Sequence, residues 1–347
     1  MVPGIYDCHT HISWNDFYRE DRERRGAAEN AERTAKSVEL TLRGGITSAR
    51  DAGGADAALQ AAIASGSLIG PNLQISVDMI GPADAGSPSA MRGAVKTAID
   101  KGAQWIKLLA TEGSSTPSDE VLRSNFTREE FYAATDTALR GGARVMVHTW
   151  GGDSADWAIE AGATSLEHGI FLTRNQVTRA AAAGLTLVPT LTIYRHVRDM
   201  VVAGDLANTS LSRITDVLAV HEDAVRLARD NGLALALGTD FTTPWQHGTN
   251  IVEIGALMRA GLTSAEALLS ATRNGAELLR DGGTGLISVG HRADAVLFGQ
   301  DPTEPSTFDH PASVVAVVKN GRIVHSVLLG LGTDEASNRD RRGVEQR

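Results

Sequence analysis

Basic residues are in deficit: 33 Lys and Arg stand against 42 Asp and Glu, a formal net charge of −9 over 347 residues. Phosphate contacts need a basic face, so this balance argues against a nucleic-acid partner. Cysteine is almost absent. Cys8 is the single one, which forbids an internal disulfide and fits a reducing compartment. No apolar run reaches the roughly 18 residues that cross a bilayer. The first residues lack the basic stretch and apolar core of a secretory leader. What remains is 42% hydrophobic and 22% charged, a globular composition. The expectation is a soluble, cytoplasmic protein with a small-molecule substrate and neither membrane nor nucleic acid as partner.

From residue 5 to about residue 240 two textures alternate. Strand-like runs occupy residues 5–12, 46–51, 73–79, 105–110, 144–148, 164–168, 185–192 and 233–240. Helix-like stretches such as 27–43, 127–140, 154–161 and 210–231 separate them, and Gly44, Gly141, Gly162, Gly184 and Gly232 stand where C-caps are expected. That many βα units in this length predicts an α/β fold, a (β/α)8 TIM barrel over residues 1–284, since such barrels run to about 250 residues. An open doubly wound sheet is the alternative. Residues 285–330 change texture to a small β appendage with an Asn320–Gly321 turn that suits a hairpin. The polar tail, residues 331–347, is expected to be disordered.

Barrel active sites lie where the C-terminal ends of the strands converge. The first strand offers His9 and His11, two residues apart and therefore on one strand face. Cys8 then reads as packing. The fourth run carries Lys107 inside an apolar stretch, the fifth ends in His148, the sixth in His168 and the eighth in Asp240. Each has a bland reading: a structural histidine, a lysine snorkelling to solvent or paired with Glu112, an aspartate capping a helix. Together they point to metal. Imidazole and carboxylate suit zinc, and this set exceeds what one catalytic zinc needs; two divalent ions about 3.5–4 Å apart would use it all. A buried lysine is pushed towards its neutral amine, which can add CO2 to become a carbamate bridging both ions.

The segments HTH, IKLLATEG, VHTW, LEHG and GTD, in this order, resemble the amidohydrolase superfamily, in particular its imidazolonepropionase-like and prolidase-like branch with a carboxylated lysine. Softer cues are TSARDAGG, residues 247–279 and GLISVGHRADAVLF, and the likeness runs from about residue 3 to 324. By position, the resemblance implies that His9 and His11 hold the more buried metal, carboxylated Lys107 bridges, and His148 and His168 hold the second. Asp240 would bind the first and act as general acid/base. Tyr194 matches a position that helps polarise the substrate carbonyl; of Arg195, His196 and Arg198, which follow it, one would meet a substrate carboxylate while at least two are solvated. The implied activity is hydrolysis of an amide-type C–N bond, as in an acyl-amino acid or dipeptide. Alternatives are an ester, carbamate or lactone hydrolase, a deaminase, or a non-catalytic metal-binding scaffold.

Two departures stand out. Relatives read H-x-H after the fifth strand, where this chain has His148-Thr149-Trp150, so Trp150 is expected to face an aromatic or apolar substrate group. The chain also begins on the first motif, leaving the appendage without the N-terminal strands that pair with it in relatives; an exposed edge or a homo-oligomer contact is the expectation. His247 is placed at the mouth or at a helix start, His221 is read as structural, and His291, His310 and His325 as surface residues.

Overall fold

The computed structural model describes residues 1–113, 120–206 and 209–328. The polar tail therefore lies outside the described residues. The barrel strands are β2 (Ile5–Thr10), β3 (Ile46–Asp51), a third position split into β4 (Asn72–Ile75) and β5 (Met79–Ile80), then β6 (Trp105–Leu109), β7 (Arg144–Thr149), β8 (Ser165–His168), β9 (Thr186–Val188) and β10 (Ala234–Leu235). β1 (Val2–Pro3) precedes them. Adjacent barrel strands pair in parallel, with Lys107 opposite Met146, Leu109 opposite His148, and Thr149 opposite His168. This register brings the strand ends carrying the candidate residues to one rim.

The ring closes between the last strand segment and the first: Cys8 N–H donates to Leu237 O at 2.8 Å and Thr239 N–H to His9 O at 3.0 Å. A Cβ on Gly238 would lie 2.4 Å from Val188 Cγ1 and 2.8 Å from His9 Cβ, so only glycine lets the seam approach this closely. Three strands depart most from their sequence runs. The third breaks at Val77, whose φ of 64° turns its carbonyl to accept from Gly54 N–H at 2.9 Å. The seventh stops because Thr190 adopts φ 56°, and the helix Leu191–Ala203 starts at once. The eighth continues past Leu235 as extended chain bonded to β2 rather than as a full ladder.

The opposite end of the barrel is plugged. Trp105 is sandwiched between the guanidiniums of Arg50 and Arg144, at 4.4 and 4.0 Å from the ring centroid. Arg144 Nη1 also donates to Leu278 O and Gln74 Nε2 to Leu279 O, docking the helix Arg273–Leu279 over that end. Cys8 packs there with Tyr6, Met146 and Val188, as a packing thiol should.

The appendage is a four-stranded antiparallel sheet in the order β1, β11 (Ala295–Phe298), β12 (Val314–Lys319), β13 (Arg322–Ser326). Here the sequence expectation is corrected: β11 has an N-terminal partner, because Val2 pairs with Val296 and Pro3 with Ala295. Asn320 and Gly321 both take positive φ, 52° and 76°, as a tight right-twisting hairpin requires. Among the described residues no helix is long and apolar enough to cross a membrane.

Candidate metal centre

Three of the four candidate imidazoles, presented by strand ends, are turned by a hydrogen bond on Nδ1. His9 Nδ1 donates to Glu167 Oε2 at 2.7 Å. His11 Nδ1 donates to Gly53 O at 2.9 Å. His168 Nδ1 lies 2.7 Å from Thr190 Oγ1. In all three the Nδ1 is occupied, so Nε2 is left to face the barrel axis. Metal-binding histidines are oriented in this way by outer hydrogen bonds.

Those outer partners are themselves fixed. Arg50 Nη2 donates to both Glu167 oxygens at 2.9 and 3.0 Å, and Ser165 Oγ adds another bond. Burial pushes the Glu167 carboxyl up, but Arg50 and then His9 bring it to about 2, so it stays an anion. Asp51 accepts from Ile12 N, Gly53 N and Ala55 N, shaping the turn that aims Gly53 O at His11. Asp7 accepts from Thr239 Oγ1 at 2.6 Å and Asn250 Nδ2 at 2.8 Å, tying the first strand to the segment before Asp240.

At the centre, His9 Nε2 and His11 Nε2 lie 3.3 and 3.2 Å from Asp240 Oδ1. These three residues place ligand atoms within 4.8 Å of one another. Lys107 Nζ lies 3.0 Å from His9 Nε2 and is 1% exposed. The lysine therefore does not snorkel outwards, and burial lowers its amine to about 8. The His168 ring is 5.1 Å from that of His9 and 4.4 Å from that of His148. Burial, followed by the charge of Lys107, brings His148 down to about 3; burial also holds His168 well below the ordinary range. Both are neutral bases. His148 is held more loosely, with Nε2 3.3 Å from Glu112 O. Burial raises the Asp240 carboxyl, but His9 and then His11 hold it well below the ordinary range. His168 and Asp240 adopt left-handed φ values of 71° and 59°, a backbone cost that clusters at functional sites.

The six residues singled out in the sequence thus converge. Four imidazoles, three of them with Nε2 inward, a carboxylate and a lysine of lowered basicity form a donor set that fits divalent cations.

The site opens where Asp240 and His148 reach a cavity of about 180 Å³, walled by Phe17, Ile193, Val197 and Tyr194. Tyr194 sits in the first turns of the helix Leu191–Ala203 rather than on a loop. Glu253 anchors that helix by accepting from Leu191 N and Thr192 N at 2.7 and 2.9 Å; burial raises its carboxyl to about 7. The Trp150 indole N–H donates to Tyr194 Oη at 2.9 Å. Burial, reinforced by the charge of Asp240, holds the tyrosine hydroxyl well above its ordinary range.

Four other expectations are corrected by placement. Trp150 is fully buried behind Tyr194 and does not line the cavity, because its indole is spent on that hydroxyl. Arg195 turns away to Glu222 at 2.8 Å. His196 stacks on Phe241, with ring centroids 5.2 Å apart, and its Nδ1 meets Gln246 Nε2. His247 is buried against Thr41 Oγ1, and burial takes it to about 3. His221 is structural, donating from Nε2 to His168 O at 3.2 Å. His310 is exposed, while His291 and His325 are half-buried.

Sequence reading passed over Glu167, Arg50, Asp51 and Asp7, although LEHG, TSARDAGG and the first strand contained them. Their signal was charge at positions of strand runs that the fold buries completely.

Comparison with known proteins agrees with this geometry. The amidohydrolase family model matches residues 1–324. An ochratoxinase of Aspergillus niger is 27% identical over 382 residues, covering 97% of this chain and 78% of its own length. A solved amidohydrolase structure superposes with a TM-score of 0.87 at 25% identity, covering 94% of this chain and 87% of that one. A solved Xaa-Pro dipeptidase with methionine bound in its active site gives 0.84 at 25%, covering 93% and 86%. The chain belongs to the amidohydrolase family and is a hydrolase of C–N bonds.

Proposed function

We propose that this amidohydrolase is a binuclear-metal enzyme that cleaves a small amide, of the acyl-amino acid or dipeptide type, at its C–N bond. The observation that carries the reading is the convergence of His9 Nε2, His11 Nε2, Asp240 Oδ1 and Lys107 Nζ, each within 3.3 Å of a neighbour in the group, with the histidines' far nitrogens tied off. His9, His11 and Asp240 would hold one cation, His148 and His168 a second. Lys107 would bridge them as a carbamate, since an amine lowered to about 8 has a ready neutral fraction near neutral pH. Zinc is the metal that the imidazole-rich set suits best. The cations supply the positive charge that makes a water acidic and a carbonyl electrophilic.

The chain's own residues do the rest. Asp240 is a carboxylate at neutral pH with its side chain 22% exposed towards the cavity. It can take the proton of the attacking water and pass it to the leaving nitrogen. Tyr194 is protonated, and the indole N–H of Trp150 occupies a lone pair of its oxygen. Its own O–H proton is therefore free to be donated to the substrate carbonyl as negative charge develops there. Val197, Ile193 and Phe17 add apolar surface to the cavity wall.

The test is metal content by inductively coupled plasma mass spectrometry on protein grown with zinc and bicarbonate, repeated on Lys107→Ala. The expected result is about two ions per chain in the parent and one or none in the variant, with hydrolysis of an amide library by the parent only. One ion in both would make Lys107 structural and end the binuclear reading. No metal in either would leave a non-catalytic scaffold.

A further inference from the structure

Three helices of this chain begin on a threonine that caps its own first turn. Thr127, Thr173 and Thr263 each accept from the backbone N–H three residues on, and Glu130, Gln176 or Glu266 at that position closes the box. The helix Leu191–Ala203 also begins on a threonine, but its cap is built differently. Thr190 takes φ 56°, a region that β-branched residues rarely enter. Its hydroxyl lies on His168 Nδ1 at 2.7 Å and makes no cap bond to its own helix. Three residues on stands Ile193, whose side chain has no polar group to offer.

The first turn is capped instead from another unit of the barrel. Glu253 is fully buried on the helix Val252–Arg259, 62 residues on from Leu191. Its carboxylate accepts from Leu191 N–H at 2.7 Å and Thr192 N–H at 2.9 Å, and the Thr192 hydroxyl donates to it as well. An anion is favoured at this positive end of a helix. The arrangement leaves the Thr190 hydroxyl to His168 and grips the two residues that start the helix. Tyr194 follows within the same turn, on the cavity wall, with its ring centroid 6.0 Å from that of His168.

We propose that Glu253 is a positioning residue for the reaction, capping the helix Leu191–Ala203 from outside it and so fixing the Tyr194 hydroxyl at the cavity. The kinetic consequence rests on the reading above of Tyr194 as donor to the substrate carbonyl; the placement of the side chain does not.

The first readout needs neither activity nor metal. It is the proton–nitrogen correlation spectrum of the metal-free protein at about pH 8, where a carboxyl raised to about 7 is ionised. The Trp150 indole N–H reports on Tyr194 Oη, its acceptor, and Trp150→Phe assigns it among the five indole signals. Trp105, whose indole donates to Gln74 Oε1 at the plugged end of the barrel, is the control. Glu253→Gln keeps the length of the side chain and removes the anion. Glu253→Asp keeps the anion and withdraws it by one methylene. Both are expected to move the Trp150 signal and leave that of Trp105 in place. The second readout is kinetic, on the metal-loaded enzyme with an amide that the parent hydrolyses. Glu253→Gln is expected to lower kcat about tenfold at nearly unchanged KM, and by less than about twofold where Tyr194 is already Phe. A Trp150 signal that stays put in whichever variant folds overturns the proposal, and so does an unchanged kcat. A loss of about tenfold that persists in the Tyr194→Phe background overturns it too, since Glu253 would then be merely structural. A moved Trp150 signal in a protein that hydrolyses no amide keeps the placement and removes the hydrolytic reading, so the two fail separately.

Discussion

The two halves of the centre are built to different standards. His9 and His11 rest on partners that are themselves saturated: Glu167 under Arg50, and Gly53 O in a turn that Asp51 fixes. His168 rests on a neutral hydroxyl, Thr190 Oγ1, and His148, among the described residues, on a long contact to Glu112 O. A charged outer partner raises the basicity of an imidazole more than a hydroxyl does. If two cations are held as proposed, the contrast would suit a division of labour in which the deep half retains its ion and the outer half keeps room for substrate next to the cavity.

Asp240 touches the deep half and faces the cavity, so changing it should cost most. Asp240→Asn is expected to lower kcat by about 10²–10⁴ while the protein still binds metal. Full activity in that variant would remove the carboxylate from the chemistry. Tyr194→Phe comes next, with a loss of about 10²–10³ in kcat and little change in metal content. Trp150→Phe should show a smaller fall of the same kind, because it frees the hydroxyl without deleting it. If Trp150→Phe altered metal content instead, the indole would belong to the centre's support and not to Tyr194.

The comparison itself is sharpened by the outer partners. Glu167→Gln should weaken metal retention about 10–100-fold in a chelator competition, whereas Thr190→Val should stay at the low end of that range. Circular dichroism must show both folded, since removing one partner of a buried ion pair costs about 3–5 kcal/mol. Equal losses would erase the distinction between the halves.

The smallest effect concerns acid. Burial lowers His221 to about 4 and His247 to about 3, against an ordinary value of 6.5. Between those values the unfolded chain binds protons that the folded chain refuses, so stability rises with pH and is lost as pH falls from about 6.5 towards 4. Each group contributes a slope of at most about 1.4 kcal/mol per pH unit. Melting of the metal-free protein across that window should show the decline, to which the buried His148 and His168 also contribute, and His247→Asn should make it shallower. A flat melting profile between pH 6.5 and 4.5 would mean that these rings are protonated in the fold.

Sequence patterns were most informative where a residue's role follows from its own strand. Spacing alone put His9 and His11 on one face, and the strand-end positions of His148, His168 and Asp240 followed from βα alternation. The lysine declared itself by sitting charged in an apolar run. What escaped depends on contacts across the barrel. Glu167 matters because β8 brings it under His9, 158 residues away in the chain, and nothing local in LEHG says so. The direction of Trp150 was misjudged for the same reason, since its partner Tyr194 lies on another unit whose helix begins earlier than the apolar run suggests. The appendage's partner was hidden by brevity, because Val2–Pro3 is too short to show any period.

The seam at Gly238 has a consequence for how the protein is assembled. His9 and His11 come from the first strand of the ring and Asp240 from the extended end of the last, and the two meet only across that glycine-tight junction. A cation held by all three would act as a clasp between the beginning and the end of the barrel, joining segments that the chain must bring together late and at a high entropic cost of loop closure. Loading and ring closure then become one thermodynamic event: whatever strips the ion also loosens the hoop, and a chain with an open hoop has no site for the ion to find.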